Sequence, residues 1–486
     1  MSQEGQKLER SQRIPIRTKL LFGSGQGVEV SATFVANTFL LFYLTNVAGF
    51  SPAMAGLIIF LSLVVDAIAD PCIGSLSDRT RSKWGRRLPY MIAGLPLVCA
   101  ASIGLFALPL FGGTFAGMAL ALSLNIALRI GTSLFALPYA ALTAELTSDY
   151  DERSSVTVYR MIFGFVGTVL TIAPAFGYIF ATQAAYSSRT AYLLLGLLLS
   201  SVVLVMGLIC ILGVRRAVRT SPMEHLPRAA TSKSMLADLR DLARNPTFLF
   251  LFCASLIALT TAGSMNALNL YAYSYFWKLP ASLNQIPLLS FQAGLLLGIP
   301  ATAMLLKWRE KREVVILGVW IIALSQITAV LIAYFFFRPF PNTIAIIILS
   351  VASAIFGACN SLFFIAFTSQ IADAVDEHEL KFSQRCEALF FSSLVFAAKA
   401  ATGIGSLIAG MILTLVGLKT STGSVAQLPE DSATLLGLIW GGGHAIAFCF
   451  ILPFAFGNRL SRRRHEQILQ TLARRRSGTQ DMAAAA

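Results

Sequence analysis

The sequence predicts an all-α membrane protein of twelve transmembrane helices arranged as two six-helix bundles. Apolar residues make up 56% of the chain and charged residues only 13%, against roughly 25% charged residues in soluble domains. The mean hydropathy is +0.70. The apolar runs last about twenty residues or more, which is the length of a membrane-crossing helix rather than of a barrel strand. Only helices and closed barrels satisfy every backbone polar group in lipid, so these lengths select helices.

Twelve apolar runs divide the 486 residues into helices and loops. The predicted helices are 21–47, 53–76, 89–111, 115–146, 156–181, 190–214, 246–275, 284–306, 313–336, 342–372, 384–416 and 433–457. An N-terminal bundle (21–214) and a C-terminal bundle (246–457) are thus joined by a polar cytoplasmic linker (215–245). A short cytoplasmic segment (1–20) precedes them. The basic cytoplasmic tail (458–486) is expected to be disordered because it is too polar to bury a core.

The net charge of +14 is concentrated in alternate loops. The basic clusters run from Arg10 to Lys19, Arg79 to Arg87, Arg215 to Arg244, Lys307 to Arg312, and Arg459 to Arg476. Basic loops stay on the cytoplasmic side of a membrane, so this alternation predicts that both termini are cytoplasmic and that the helices cross the cell (inner) membrane. Because topology accounts for the basic charge, no nucleic-acid partner is expected.

Several classes of protein lack the residues they would need here. The seven cysteines show no paired spacing, so they are interpreted as small buried apolar residues. No nucleophile–base pair or metal cluster is visible, so an enzyme is not expected. No phosphate-binding Gly-x-x-x-x-Gly-Lys-Ser/Thr motif occurs, and ATP is therefore not an expected partner. No cofactor is expected; the expected partners are the lipid bilayer, a small solute and a cation.

The two halves repeat one another at a fixed offset. Three charged residues after the fourth predicted helix return 225 positions later, after the tenth. The pairs are Asp151 and Asp376, Glu152 and Glu377, and Arg160 and Arg385. Two homologous six-helix halves in parallel repeat are the architecture of the major facilitator superfamily. The sequence therefore predicts that fold.

Two charged stretches carry a resemblance to a known family. They are Asp66-Ala-Ile-Ala-Asp70-Pro71 followed by Asp78-Arg79-Thr-Arg81-Ser-Lys83-Trp84-Gly85-Arg86-Arg87, and Asp373-Ala-Val-Asp376-Glu377 followed by Arg385-Cys386-Glu387 and Lys399. Together they resemble the glycoside–pentoside–hexuronide:cation symporter family, and the resemblance extends from Phe22 to about Gly417. It implies a transporter that moves a polar solute together with a cation by alternating access.

Asp66 and Asp70 are predicted to form the cation-coupling site. They lie four residues apart, hence on one face of the second helix, and two ionised carboxylates this close repel unless a cation or a proton intervenes. By resemblance they hold the coupling ion together with the hydroxyl of Ser133. The family's asparagine between the two aspartates is Ala69 here, which removes an oxygen ligand and leaves Na⁺ and H⁺ both open. The alternative is that Asp70 only anchors the end of the helix.

Five residues are predicted to bind the solute: Glu29, Arg129, Tyr139, Arg160 and Lys399. Lys399 lies too deep in the eleventh predicted helix for its amine to reach the interface, and by resemblance it faces the central cavity. By the same resemblance Arg160 lies near the sugar site, with a gate pairing as the alternative. Glu29 lies near an acidic sugar ligand of the family, and Tyr139 belongs to a Pro-Tyr pair that a lysolipid-carrying branch shares.

Arg129 is specific to this sequence, and two roles are open for it. The aspartate that binds sugar in the family's galactoside carriers is replaced by Ala136, so a neutral galactoside would lose a hydrogen-bond acceptor. A guanidinium could instead meet an anionic group of the solute in a bidentate pair. Alternatively, Arg129 neutralises internal carboxylates such as Asp66, Asp70 or Glu29.

Charged residues at the basic ends of the helices are predicted to form a cytoplasmic gate. They are Asp78, Arg79, Arg86, Arg87, Glu145, Asp151, Asp376 and Arg385. Their ion pairs would latch the two halves and break as the halves rock. The predicted function is symport of a cation with a glycoside, hexuronide or related polar or anionic solute. Symport of a lysolipid or amphipathic anion, and a non-transporting sensor or partner subunit, are the alternatives.

Overall fold

A computed structural model shows a chain built of helices and short connections. It describes residues 14–108, 114–147, 149–220, 242, 244–336, 341–382, 387–418, 428–457 and 460–484. The long helices are α1 (Ile16–Asn46), α2 (Pro52–Arg79), α3 (Leu88–Phe106), α4 (Phe115–Leu146), α5 (Tyr150–Pro174), α6 (Arg189–Thr220), α7 (Pro246–Tyr271), α8 (Gln285–Trp308), α9 (Lys311–Phe336), α10 (Asn342–Phe382), α11 (Glu387–Leu415), α12 (Glu430–Gly457) and α13 (Arg462–Ala484). Single π-helical turns extend α5 and α7 and interrupt α12, at Ala175–Ile179, Ala272–Phe276 and Ile439–Gly443.

The helices α1 to α12 are each long and apolar enough to cross a membrane, which confirms the twelve predicted spans. Several of them continue past the predicted bounds. Helix α10 runs ten residues beyond the predicted end at 372, as far as Phe382, and α6 runs to Thr220, into the predicted linker. The extra turns of α10 are polar and stay helical partly because Glu377 and Lys381, four residues apart, form an ion pair of 2.9 Å.

Small residues let the helices of the N-terminal half approach one another closely. A side chain at Gly167 of α5 would begin 2.7 Å from the Cα atom of Gly27 in α1. Likewise, a Cβ atom on Gly94 of α3 would lie 2.7 Å from the carbonyl oxygen of Gly131 in α4. In lipid, where apolar burial gives no advantage to helix association, such close backbone packing stabilises the bundle. It also brings the polar groups of α1 and α5 within hydrogen-bonding distance.

The chain forms two compact units. The first contains 1–224, 263–285 and 403–436, and the second contains 225–262, 286–402 and 437–486. In the first unit, parts of α7 and α11 pack on α1 and α2 at the end opposite the basic loops. The hydroxyls of Thr45 and Tyr271 lie 2.5 Å apart, and a Cβ atom on Gly410 would lie 2.3 Å from the carbonyl oxygen of Pro52. The N-terminal half therefore makes direct contacts with segments of the C-terminal half within this unit.

The C-terminal tail corrects the sequence prediction, because it forms helix α13 instead of a disordered segment. Ile468 and Leu472, one turn apart, are buried. His465 lies 3.0 Å from the carboxylate of Asp376, and the guanidinium of Arg475 donates to the carbonyl of Leu380 at 3.1 Å. The tail is polar overall, but this narrow apolar stripe and these polar contacts dock it on the basic end of α10.

Candidate functional site

The two aspartates of α2 lie inside the span, next to a hydroxyl of α4. Asp66 is 4% exposed and Asp70 is half-buried. The hydroxyl of Ser133 donates to Oδ1 of Asp66 at 2.9 Å. The structure therefore brings together the Asp66 carboxylate and the hydroxyl that the sequence assigned to it. Their role in binding a cation stays a prediction.

One turn away from this contact lies a second polar group that the sequence analysis missed. The amide of Asn125 donates to the hydroxyl of Ser62 at 2.7 Å, and Nε of Arg129 donates to the same oxygen at 3.2 Å. The Ser62 hydroxyl in turn donates to the carbonyl of Ile59 at 2.7 Å. Ser62 and Asn125 are both fully buried.

These contacts form a ladder between two spanning helices. On α2 it consists of Ser62 and Asp66, with Asp70 one turn further along the helix, and on α4 it consists of Asn125, Arg129 and Ser133. Each set follows a spacing of four residues, so each occupies one face of its helix. That spacing was the available signal for the missed residues, because Ser62 precedes Asp66, and Asn125 precedes Arg129, by one turn.

Arg129 lies with part of its guanidinium enclosed by protein. Its Nη2 atom is buried and has no hydrogen-bond acceptor in the part of the chain that the structure describes. Asp66 lies one turn beyond Ser62 on α2, and Ser62 is the residue that Arg129 contacts. Both predicted roles of Arg129, binding of an anionic solute and neutralisation of internal carboxylates, stay predictions.

A second polar cluster joins α1, α4 and α5 closer to their basic ends. Arg160 donates through Nε and Nη2 to the side-chain oxygen of Gln26 at 3.1 and 2.7 Å, and through Nη1 to the hydroxyl of Thr143 at 2.9 Å. The Gln26 amide donates to the carboxylate of Glu29 at 3.1 Å. Two predicted residues, Arg160 and Glu29, are thus connected through Gln26, which the sequence analysis did not single out.

Tyr139 lies beneath this cluster. The guanidinium carbon of Arg160 sits 4.7 Å from the centre of its ring, which is a cation–π distance. Tyr139 is fully buried, and a Cβ atom on Gly25 would lie 2.5 Å from its ring and 2.7 Å from Sγ of Cys210, which favours glycine at position 25. The ring therefore supports Arg160 from the protein side. Contact between Tyr139 and a solute stays a prediction.

Lys399, the last predicted solute-binding residue, is half-buried in α11. It belongs to the second unit, whereas the carboxylate ladder and the Arg160 cluster belong to the first. Its predicted role in the central cavity stays a prediction.

At the basic ends of the N-terminal half, two arginines share one carboxylate. Arg86 donates to Glu145 through Nη2 at 2.7 Å and Nε at 3.1 Å, and Arg87 donates through Nε at 3.1 Å. Arg87 also pairs with Asp78 at 2.5 Å and donates to the hydroxyl of Ser77 at 2.7 Å. Four of the predicted gate residues are thus brought together, and these pairs tie the second, third and fourth helices of one half.

The C-terminal half has its own cluster at the basic ends. Lys311 pairs with Asp373 at 2.6 Å, and His465 of α13 lies 3.6 Å from Asp373 in addition to its contact with Asp376. Glu377, which is 2% exposed, pairs with Lys381 and with Arg464 of α13 at 3.4 Å. These contacts with α13 were missed from the sequence.

Three predicted gate residues have not yet been named. Arg79 is exposed at the end of α2. Arg385 lies outside the described residues, and of Asp151 only the backbone, within α5, is described. The part of these three in a gate stays a prediction.

The fold is similar to that of membrane transporters of known structure. A variant of the nucleoside transporter NupG aligns with a TM-score of 0.63 at 13% identity, covering 90% of this chain and 100% of that one. The xylose transporter XylE from E. coli, in a partially occluded inward open conformation, aligns with a TM-score of 0.55 at 11% identity, covering 92% and 96%. Together with the family match over residues 21–458, these similarities confirm the predicted fold of the major facilitator superfamily.

The family follows from the sequence comparison. The profile described as MFS/sugar transport protein matches residues 21–458, and the chain belongs to this family. The uncharacterized symporter YjmB of Bacillus subtilis is 24% identical over 96% of this chain and 97% of its own. The isoprimeverose transporter of Lactiplantibacillus pentosus is 24% identical over 81% and 79%. The glucuronide carrier protein homolog of Escherichia coli is 23% identical over 91% and 93%.

Proposed function

We propose that this protein is a secondary transporter that carries a cation and a polar, sugar-like solute together across the membrane. One observation carries the proposal: two carboxylates, Asp66 and Asp70, lie one turn apart in the spanning helix α2, and the hydroxyl of Ser133 lies 2.9 Å from the first. An ionised carboxylate at the centre of a spanning helix costs about 2.5–3.5 kcal/mol on insertion scales. A pair of them is retained where it has a charged ligand to bind.

Coupling follows from the electrostatics of this pair. Without a cation, Asp66 and Asp70 repel each other, because two ionised carboxylates lie one turn apart on α2. A bound Na⁺ or proton removes that repulsion. If the solute prefers the same arrangement of α2 and α4, each ligand raises the affinity for the other. No nucleotide and no further cofactor is required by this scheme.

Alternating access is supported by the contacts at the end opposite the basic loops. There, α1 meets α7 through Thr45 and Tyr271, and α2 meets α11 through Gly410 and the carbonyl of Pro52. Opening that end for a solute would separate these pairs. We place the basic ends and both termini on the cytoplasmic side of the inner membrane, because basic loops remain there.

The solute class rests on the Arg160 cluster and on the relatives. The side chains of Arg160, Gln26 and Glu29 place hydrogen-bond donors and acceptors close together, as the binding of a polyhydroxylated solute requires. The ring of Tyr139 packs against the guanidinium of Arg160. The relatives' names include an isoprimeverose transporter and a glucuronide carrier protein homolog. The proposed solute is therefore a glycoside, hexuronide or related polar compound, and the coupling ion is Na⁺ or H⁺.

The test is thermal stability of the purified protein against a panel of glycosides and hexuronates, in Na⁺ and in choline, at two pH values. A ligand that binds only the folded state raises the free energy of unfolding by about 2.7 kcal/mol at a concentration of 100 times its Kd. The melting temperature rises accordingly. One solute is expected to stabilise more strongly with the coupling ion present. This cooperation should disappear in Asp70→Asn and persist in Asp78→Asn, the same substitution at an exposed position. Cooperation that survives in Asp70→Asn would refute the assignment of the cation site.

A further inference from the structure

Helix α8 carries a row of apolar side chains that remain exposed in the described part of the chain. Leu297, Ala301 and Met304 are exposed, and Trp308 at the end of the row is 83% exposed. Their spacing of four, three and four residues places them on one face of the helix. An exposed apolar face on a spanning helix lies against lipid, and tryptophan is enriched at the level of the headgroups. The membrane interface therefore lies at the last turn of α8.

Basic side chains surround Trp308 at this depth. Lys307 precedes it and is exposed. Arg462, the first residue of α13, donates from Nη2 to the carbonyl of Leu306 at 3.1 Å, and the exposed Arg463 follows it. All of these residues belong to the second compact unit. Helix α13 thus begins beside the last turn of α8, and its first turn lies at the depth of the headgroups.

Carboxylates neutralise only part of this positive charge. Glu310 accepts from the backbone amide at the start of α13 at 3.2 Å. Glu313 pairs with Arg309 at 3.6 Å. Among the residues that the structure describes, neither Lys307 nor Arg463 forms an ion pair. Two exposed positive charges therefore stand beside the apolar row with no protein anion to balance them.

The guanidinium of Arg462 has donors to spare. A basic side chain at the carboxyl end of a helix can cap the last carbonyls, and Arg462 does this for α8. The contact with Leu306 occupies one of its five N–H donors, and the side chain is exposed. Whichever hydrogen of Nη2 makes that contact, one edge of the guanidinium keeps two parallel donors, the arrangement that meets two oxygens of a phosphate. Because the carbonyl already holds the guanidinium in place, less rotamer freedom remains to be lost on binding.

We propose that Lys307, Arg462 and Arg463 bind the phosphate of an anionic phospholipid, with Trp308 packed against the upper part of its acyl chains. A phospholipid is the occupant that these surroundings favour, because the apolar row leads directly into the basic cluster. A ligand that carries both a phosphate and acyl chains covers both surfaces, whereas a soluble anion covers only one. The bound lipid touches α8 and the start of α13 together, so it stabilises the docked tail. This inference assumes nothing about the transported solute or the coupling ion.

The test is the melting temperature of the purified full-length protein in detergent micelles with added phosphatidylcholine, or with a mixture of phosphatidylcholine and phosphatidylglycerol. Phosphatidylglycerol is expected to raise the melting temperature further than phosphatidylcholine alone, because a ligand of the folded state stabilises it. Its apparent affinity should fall about fivefold for each positive charge removed, hence about 25-fold when Lys307→Gln and Arg463→Gln are combined. High salt should weaken the response of the original protein, since it screens exposed charges.

The matched control removes a lysine and an arginine from another basic loop. Arg81→Gln and Lys83→Gln, combined, change two exposed residues that follow α2. This variant is expected to keep the response to phosphatidylglycerol. Equal losses in the two double variants would show a general attraction between anionic lipid and basic loops, and would overturn the site. An original protein that responds equally to both lipids would overturn it as well.

Arg462→Gln separates the role in lipid binding from the cap on α8. Loss of the cap should lower the melting temperature in phosphatidylcholine alone, and loss of the phosphate contact should in addition reduce the shift that phosphatidylglycerol produces. A lowered starting temperature with an unchanged shift would mean that Arg462 only caps α8, and would refute its place in the site. Lys307→Gln combined with Arg463→Gln should leave the starting temperature unchanged, because neither residue forms an ion pair within the described chain.

Inorganic phosphate and glycerol 3-phosphate, added to the protein in phosphatidylcholine, identify the source of the phosphate. Neither is expected to raise the melting temperature at the concentrations at which phosphatidylglycerol acts, because neither covers the apolar row. A soluble phosphate that reproduces the shift, and loses it when Lys307→Gln and Arg463→Gln are combined, would assign the cluster to a soluble anion and overturn the lipid site.

Discussion

Replacing Glu145 with glutamine removes the charge on which two arginines converge. The carboxylate accepts three hydrogen bonds, two from Arg86 at 2.7 and 3.1 Å and one from Arg87 at 3.1 Å. A hydrogen bond to a charged group contributes about 1.5–3 kcal/mol, against about 0.5–1.5 kcal/mol for a neutral one. All three hydrogen bonds are accepted by Oε1, so glutamine can keep an acceptor at that position but loses the negative charge. Because the Glu145 side chain is 22% exposed, solvent screens part of the loss, and we expect destabilisation by about 2 kcal/mol.

The assay is unfolding of the detergent-purified protein, followed by intrinsic fluorescence against temperature and against denaturant. The control is Asp78→Asn. That side chain is 57% exposed and makes a single ion pair with Arg87, which also retains Glu145 and Ser77, so its loss should be about 0.5 kcal/mol or less. An Asp78→Asn variant as unstable as Glu145→Gln, or a Glu145→Gln variant that unfolds like the original protein, would refute the view that this carboxylate holds the three helices.

Two further predictions test helix packing. Gly410→Ala should destabilise the protein, because the Cβ atom of the alanine would lie 2.3 Å from a backbone oxygen of α2. Gly74→Ala, with nothing within 4 Å of its Cβ atom, should be neutral or stabilising by up to about 1 kcal/mol. The melting temperatures of the two variants check this prediction, and equal losses would contradict it. Glu377→Gln should loosen α13, since it weakens the pair with Arg464, and trypsin should then cut the arginines of α13 faster than in the original protein. Glu466→Gln, on the exposed side of α13, is the control and should leave the rate of cleavage unchanged.

The internal repeat shows how far a sequence pattern carries. The repeat pairs Glu152 with Glu377, and both carboxylates do bind a lysine: Lys19 at 2.8 Å in the first case and Lys381 at 2.9 Å in the second. The partners nevertheless come from unrelated places, because Lys19 belongs to α1 and Lys381 follows Glu377 on the same helix. A repeat preserves the positions of charges, whereas the partner of each charge depends on which segment packs nearby.

The tail illustrates the limit of composition as a guide. A basic, polar segment has too little apolar surface to fold alone, and disorder was the sound expectation. Ile468 and Leu472 bury only a narrow stripe, and the helix gains its remaining contacts from carboxylates at the end of α10. A segment that folds only against its own protein cannot be recognised from its composition.

The sequence by itself determined the membrane class, the twelve helices and the pair of aspartates on α2, because hydropathy and a spacing of four residues are local properties of the chain. The tertiary structure alone decided which groups those helices bring together. Arg129 meets Ser62 across 67 positions, Arg160 meets Gln26 across 134, and His465 meets Asp376 across 89. Such pairs depend on which faces of distant helices pack together and at what depth. In lipid that choice is made by close contact between small residues and by polar groups that need partners, and neither is visible along a single helix.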